Sequence, residues 1–397
     1  MTNLAIPGLL DQVRRYGRFD MNACLNCGSC TLVCNLSENN ASFPRRPIQK
    51  AIYGFKKSLR GSLEPWLCHD CGDCSTTCPR QAEPRESMMT LRRYLIGQYD
   101  PTGIAARILR SKAWELTAIF LTAAIVFALA LYYHLYYVEL TLPDLISTPM
   151  GMEHMFGMIV DFTIIVFLIP LFILLISTIR MQRFAMARDS DLKIPIRLYF
   201  VEVLTVFVHM FTHKNIKKCT GEIHKKRWTK HWLLGLAVSL MIIIKVFFLT
   251  WFQTDSIYPI YHPQRWLGYF ATVVMIYVSF DILRSRIKKQ EAMHKFSELS
   301  DLTLPIMLML VAISGIAVHI FRYLEFSMAC HFTYAIHLAI AVPLVVVELP
   351  FGKWAHTIYR PLAIYFQSVK ERALAETKQL VEEKPAEELI IKGTQTV

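Results

Sequence analysis

CLNCGSCTLVC, from Cys24 to Cys34, returns as CHDCGDCSTTC, from Cys68 to Cys78. Each copy has the C-x2-C-x2-C-x3-C spacing that wraps a [4Fe–4S] cube, and in two-cluster ferredoxins the fourth cysteine of each run ligates the other cluster. That exchange predicts one cube on Cys24, Cys27, Cys30 and Cys78, and a second on Cys68, Cys71, Cys74 and Cys34. The chain is therefore expected to move electrons. Two alternatives fit the repeat poorly. Zinc usually takes separated C-x2-C pairs, and disulfide frameworks belong to secreted chains, whereas the N-terminal MTNLAIPGLLDQVRRYGRFD has no apolar core of signal-peptide length. The two cysteines left over, Cys219 and Cys330, read as ordinary buried or interfacial residues.

Outward from the repeat, the composition changes. The 397 residues are 54% hydrophobic, too apolar for an ordinary soluble chain, yet the first hundred are polar and basic. From Trp114 onward, runs of about 20 apolar residues recur, long enough to cross a hydrocarbon core of roughly 30 Å as helices. Six are expected: 114–138, 155–179, 231–252, 266–284, 302–321 and 330–350. The net charge of +12 raises nucleic acid as a partner, and its placement argues against that. Lys and Arg crowd the connection 180–230, the segment 284–289 and the approach to the first span at Arg107, Arg110 and Lys112, while 138–155 has none. The positive-inside rule then puts both termini and the cluster domain in the cytoplasm of a multi-pass membrane protein, with lipid and not nucleic acid as partner; the expected setting is a bacterial or archaeal inner membrane.

The expected organisation is all-α: an α-helical two-cluster ferredoxin over 1–100, a membrane domain with a six-helix cytochrome b bundle over 101–370, and a flexible tail over 371–397 that begins as a helix extension. Between the cysteine runs, Pro47, the recurrence of Ile48, Ile52 and Phe55, and Gly61 predict one helix. Its Arg45, Arg46, Lys50, Lys56, Lys57 and Arg60 form a basic surface that suits an acidic redox partner, anionic lipid or plain solvent. The segment 194–213 is amphipathic and reads as interfacial. No Gly-rich nucleotide loop follows a strand, so flavin or nicotinamide chemistry belongs to other subunits.

Ionisable residues inside spans are functional candidates. His231 opens the third span, His319 lies near the outer end of the fifth, His337 lies inside the sixth and His356 sits at its cytoplasmic end. Paired histidines from facing helices hold haem b in bundle cytochromes. Depth pairs His231 with His356 at an inner haem and His319 with His337 at an outer one, for one or two haems in all. His337 and His356 are nineteen residues apart, roughly 28 Å of helix, but about 100° out of phase, so Pro343 and Pro350 must reset the register. His134, His154 and His262 read as outer-edge residues, and His209 and His213 as interfacial. Lys245 shares a face with His231 at the depth of the outer haem; it suits a haem propionate, a quinone carbonyl, or snorkelling to the interface.

At these residues the chain resembles known families. The cysteine domain resembles the small iron–sulfur C-type component of heterodisulfide reductase. FTYAIHLAIAVPLVVVELPFGKWAHTIYRP and TKHWLLGLAVSL are similar to the haem helices of that enzyme's E-type cytochrome b component and of the γ subunit of respiratory nitrate reductase. Where the nitrate reductase pattern has a second histidine, this chain has Met241. The fusion of both modules resembles the C-type component of the quinone-interacting membrane-bound oxidoreductase (Qmo) family. That resemblance implies electron transfer between menaquinone, haem b, the two [4Fe–4S] clusters and cytoplasmic flavin/iron–sulfur subunits that serve adenylylsulfate reductase in sulfate respiration. The alternatives are a fused component of a heterodisulfide reductase or sulfite-reduction complex and, from another class, a redox-sensing membrane receptor or transporter. CCG motifs of a heterodisulfide-cleaving site are absent.

Overall fold

A computed structural model of the protein describes residues 5–20, 22–37, 42–133, 136, 156–188, 192, 194–214, 222–248, 258–291 and 294–382. Among the described residues every regular element is helical and no strand occurs. His134, His154 and Cys219 lie outside them.

The cysteine repeat is a structural repeat as well. In each copy the residue before the second cysteine, Asn26 or Asp70, and the glycine after it, Gly28 or Gly72, take positive φ. Asn and Asp tolerate that region and Gly is free in it. The chain therefore curls around one point before a single helical turn, Ser29–Leu32 or Asp73–Thr76, carries the third cysteine and leads toward the fourth. The two turns pack on each other, which brings the runs together.

Between them, the expected single helix is two, Arg45–Ile52 and Lys56–Arg60. Gly54 breaks it. Ile6 donates its N–H to the Gly54 carbonyl at 2.9 Å, and a side chain at Gly54 would strike the Ile6 backbone. The basic surface is also smaller than the sequence suggests. Lys50 is buried against Ser62 and Glu64, Arg46 reaches Glu64 at 3.7 Å, and Arg60 stacks on Phe184 at 3.8 Å.

Among the described residues six helices are long and apolar enough to span a membrane: Lys112–Tyr132, Ile164–Ala187, Lys225–Phe247, Arg265–Ile287, Ser300–Tyr323 and Ser327–Phe351. The third, fourth, fifth, sixth and first spans pack as successive neighbours, while the second lies against the end of the sixth. The sixth is the most buried of them, whereas Phe120, Leu121, Ile125 and Leu129 of the first, and Leu168 and Phe172 of the second, point outward. Such an outward apolar surface belongs in hydrocarbon, where a helix satisfies its own backbone.

The second helix is described from Phe156 to Arg188, so it ends beyond the expected 155–179. The interfacial segment forms Ile196–Val201 and Val203–Thr212. It lies along the last helix, His356–Glu382, clamped by Arg197–Glu376 at 2.7 Å and Arg372–Glu202 at 2.6 Å. Phe200, Leu204 and Phe207 remain exposed on it, an apolar face suited to the bilayer boundary. That last helix continues past residue 370 to Glu382, the helix extension expected at the start of the tail, and Ala373 on it is buried. Residues 383–397 lie outside the described residues.

The ferredoxin region is seated on the membrane bundle through aromatic rings. Trp66, fully buried, lies 5.3 Å from Tyr359 and 6.4 Å from Tyr99, and Tyr99 lies 6.3 Å from Phe184. One continuous core joins the two regions.

Candidate electron-transfer site

The two cysteine runs approach each other. Cys30 has Cys24 and Cys78 as thiol neighbours, and Cys34 has Cys68, Cys71 and Cys30. Cys74 senses Cys68, Cys71 and Cys34 most, with Cys30 beyond. Cys24, Cys27, Cys30 and Cys78 line one cavity together with Leu25, Arg45 and Ile52.

The groups differ in environment. Cys24 and Cys27 are exposed, whereas Cys68 and Cys74 are buried. Burial pushes the Cys34 thiol up to about 12, with repulsion from Cys68 and Cys71 adding to it, and raises Cys68 and Cys74 as well. A hydrogen bond with Ser29 lowers Cys27. Iron would hold the inner thiols as thiolates and release their protons on binding. Donors to sulfur are already placed: the N–H groups of Asn26, Asp70 and Ala82 lie 3.4 Å from the sulfurs of Cys24, Cys68 and Cys78. Hydrogen bonds to the sulfurs are one of the levers that set a cluster's potential.

The inner group touches the membrane bundle. His69, between Cys68 and Cys71, receives the Arg360 guanidinium at 3.3 Å, and Arg227 donates to the Asp70 carbonyl at 3.2 Å. Burial raises the Asp70 carboxyl, but Arg85, at 2.6 Å, outweighs it and holds the group below the usual carboxylate range. Arg360 lies one turn beyond His356 on the last helix.

There the rings of His231 and His356 are 6.3 Å apart. Two imidazoles on opposite sides of one metal ion, with metal–nitrogen bonds of about 2 Å and about 1 Å from nitrogen to ring centre, stand about 6 Å apart, so the pair has the spacing for haem iron. His356 donates Nδ1–H to the Lys353 carbonyl at 2.6 Å, which leaves Nε2 as the ligand nitrogen. Nδ1 of His231 is buried without a hydrogen-bond partner among the described residues. The residues fit the group.

The phase conflict between His337 and His356 is resolved by backbone. After Pro343, residues Leu344–Glu348 form a π-helical turn, Gly352 leaves the helix, and His356 opens a new one after the 3-10 turn Lys353–Ala355. His213, read from sequence as interfacial, packs edge-on to His231 at 4.7 Å and against Gly235. The available signal was that glycine, one turn past His231 on the same face.

His319 and His337 have separate polar partners. The Arg265 guanidinium lies 2.7 and 2.9 Å from the two ring nitrogens of His319, and Tyr269, one turn further along the fourth span, hydrogen-bonds Nε2 at 2.7 Å. His337 instead hydrogen-bonds Ser314 through Nδ1 at 2.9 Å, rests on Gly315, and has Lys245 within electrostatic reach. His262 stacks on Tyr258 at 4.4 Å, and Cys330 is buried.

Residues 110–377 match the family Citrate utilization protein B, and residues 20–82 match the 4Fe-4S dicluster domain. The N-terminal region is similar to a protein of Archaeoglobus profundus that is itself like the C-type component of heterodisulfide reductase, 30% identical over 100 residues, or 25% of this chain and 53% of that one. It is also similar to an iron–sulfur component, the second of the C type, of the CoB–CoM heterodisulfide reductase of Methanocaldococcus jannaschii, 33% identical over 72 residues, or 18% of this chain and 38% of that one. Similarity to the C-type component of the ferredoxin:CoB-CoM heterodisulfide reductase of Methanosarcina acetivorans is 27% over 86 residues, covering 22% and 34%. The chain thus spans about half the length, or less, of these relatives. No solved structure matches it.

Proposed function

Because the chain belongs to the Citrate utilization protein B family and carries a 4Fe-4S dicluster domain, we propose that it is the quinone-reactive, membrane-spanning electron-transfer subunit of an oxidoreductase complex. Electrons pass between menaquinol, haem b held by His231 and His356, the inner cluster on Cys68, Cys71, Cys74 and Cys34, the outer cluster on Cys24, Cys27, Cys30 and Cys78, and cytoplasmic flavin/iron–sulfur subunits. The carrying observation is the contact of the His69 loop with Arg360, one turn from a histidine pair at 6.3 Å. Haem when bound supplies one-electron chemistry inside the bilayer; the chain's own residues fix its ligands and exclude water.

Lys245 is the candidate donor to a quinone carbonyl or a propionate. An outer haem on His337 and His319 requires His319 to exchange Arg265 and Tyr269 for iron. The Qmo-type role, serving adenylylsulfate reductase, is the first reading of the partner. A second, favoured by the names of the relatives, is a fused component of a heterodisulfide reductase.

The test is purification of the full chain with whatever co-purifies, followed by iron analysis, reduced-minus-oxidised spectra and identification of the bound subunits. Two four-iron clusters and a low-spin b-type spectrum are expected. A chain with clusters but no haem would refute the membrane wire. An adenylylsulfate reductase-linked flavoprotein, a heterodisulfide-cleaving enzyme or an enzyme of citrate utilization as partner would each decide the role.

A further inference from the structure

Four carboxylates and three cations meet where the first, fifth and sixth spans approach the ferredoxin region. Asp301 ion-pairs with Lys353 and lies 3.8 Å from Arg286 and 3.9 Å from Arg93. Glu298 takes Arg93 at 3.4 Å, and Glu115 hydrogen-bonds Thr303. Glu348 is the fourth. It is 1% exposed, closes the π-helical turn and has Glu115 as its charged neighbour. It receives the backbone N–H of Lys353, yet its Oε1 is buried without a hydrogen-bond partner among the described residues. Gly352 makes room for it: a Cβ there would overlap the Glu348 carboxylate.

Glu348 has no cation opposite it among the described residues, and its charged neighbour is another carboxylate. With both carboxyls buried, two ionised carboxylates side by side carry a charge that is offset only in part, since Lys353 and Arg93 face Glu115 but are shared with Asp301 and Glu298. A pair in that position is suited to hold one proton.

Lys353 connects the pair to the histidine site. Its ammonium holds Asp301, its N–H holds Glu348, and its carbonyl accepts Nδ1–H of His356. An electron arriving at a centre on His356 adds negative charge one residue's backbone away from Glu348. π-Helical turns of this kind recur at functional sites.

We propose that Glu348, with Glu115, is a proton-loading site: when the centre held by His356 gains one electron, one proton from water passes to this carboxyl pair, and it leaves again on oxidation. The inference rests on the haem reading above, and the experiment separates the two. The full chain, with its co-purifying subunits, is prepared as wild type, Glu348→Gln and Glu348→Asp. Their reduced-minus-oxidised spectra come first. If wild type shows no haem, the haem reading falls, and this inference with it; a haem present leaves the inference open to its own test.

Midpoint potentials are then titrated at pH 6, 7 and 8. In wild type the reduction equilibrium should weaken close to tenfold per pH unit in part of this range. Glu348→Gln should make the curves coincide, and Glu348→Asp should keep the slope with a displaced pH range. Redox-difference infrared spectra of wild type should show a carboxylic C=O band that responds to reduction, a readout that needs no variant. A wild-type potential independent of pH, a Glu348→Gln slope equal to wild type, or no carboxylic band would each overturn the proposal.

Discussion

His356 spends one nitrogen on the Lys353 carbonyl and offers the other across 6.3 Å to His231, so the two rings should act on one haem. His231→Ala and His356→Ala are each expected to remove the same b-type component, while His319→Ala, whose ring is engaged by Arg265 and Tyr269, should leave that component intact. Difference spectra of the three variants check this, and loss of the component in His319→Ala would reassign the ligands. Lys245 is a different kind of candidate. A hydrogen bond from a charged donor contributes about 1.5–3 kcal/mol, so Lys245→Met should slow reduction of the haem by a menaquinol analogue roughly tenfold or more. Stopped-flow reduction measures it; an unchanged rate would return Lys245 to the interface and move the quinone site elsewhere.

The sixth span shows how much of an element can be read from its residues. Six apolar runs were legible because span length is set by composition, and Pro343 and Pro350 marked where the helix had to change phase. The form of that change was not legible: a π-helical turn, a break at Gly352 and a 3-10 turn depend on Glu348 packing beneath the loop. In the same way Gly54 divides the 45–60 helix only because residue 6 arrives from elsewhere in the chain, and His213 meets His231 only after the interfacial helix folds back. The cysteine repeat itself was legible, since ligand spacing is local and each copy folds into the same curl and helical turn. Gly352→Ala tests the turn. Crowding a packed site costs about 1–3 kcal/mol, so the variant should unfold at lower temperature and lose haem occupancy, read by thermal melting and haem-to-protein ratio; wild-type values for both would show that the turn tolerates a side chain.

Across the whole molecule, exposure runs one way. Cys24 and Cys27 are at the surface, beside exposed Leu25, Leu32 and Tyr53, while the Cys68–Cys78 run faces the bundle through His69 and Asp70. On the proposed reading the outer cluster would exchange electrons with a soluble partner and the inner cluster would link to the histidine pair. Trp66 holds that alignment, and Trp66→Ala should cost about 3–5 kcal/mol and slow electron transfer between cluster and haem more than quinol reduction of the haem. The order itself is tested with the fourth cysteines, because each closes the cube of the opposite run. Cys78→Ser should remove or alter the outer cluster, and Cys34→Ser the inner one, each lowering bound iron by about four atoms where a cube is lost. In Cys78→Ser, with the inner cluster still visible by paramagnetic resonance, a menaquinol analogue should reduce the haem at the wild-type rate while a soluble acceptor receives nothing. If the acceptor is still reduced at full rate, electrons leave from the inner cluster, and the exposed cysteine face is not the way out.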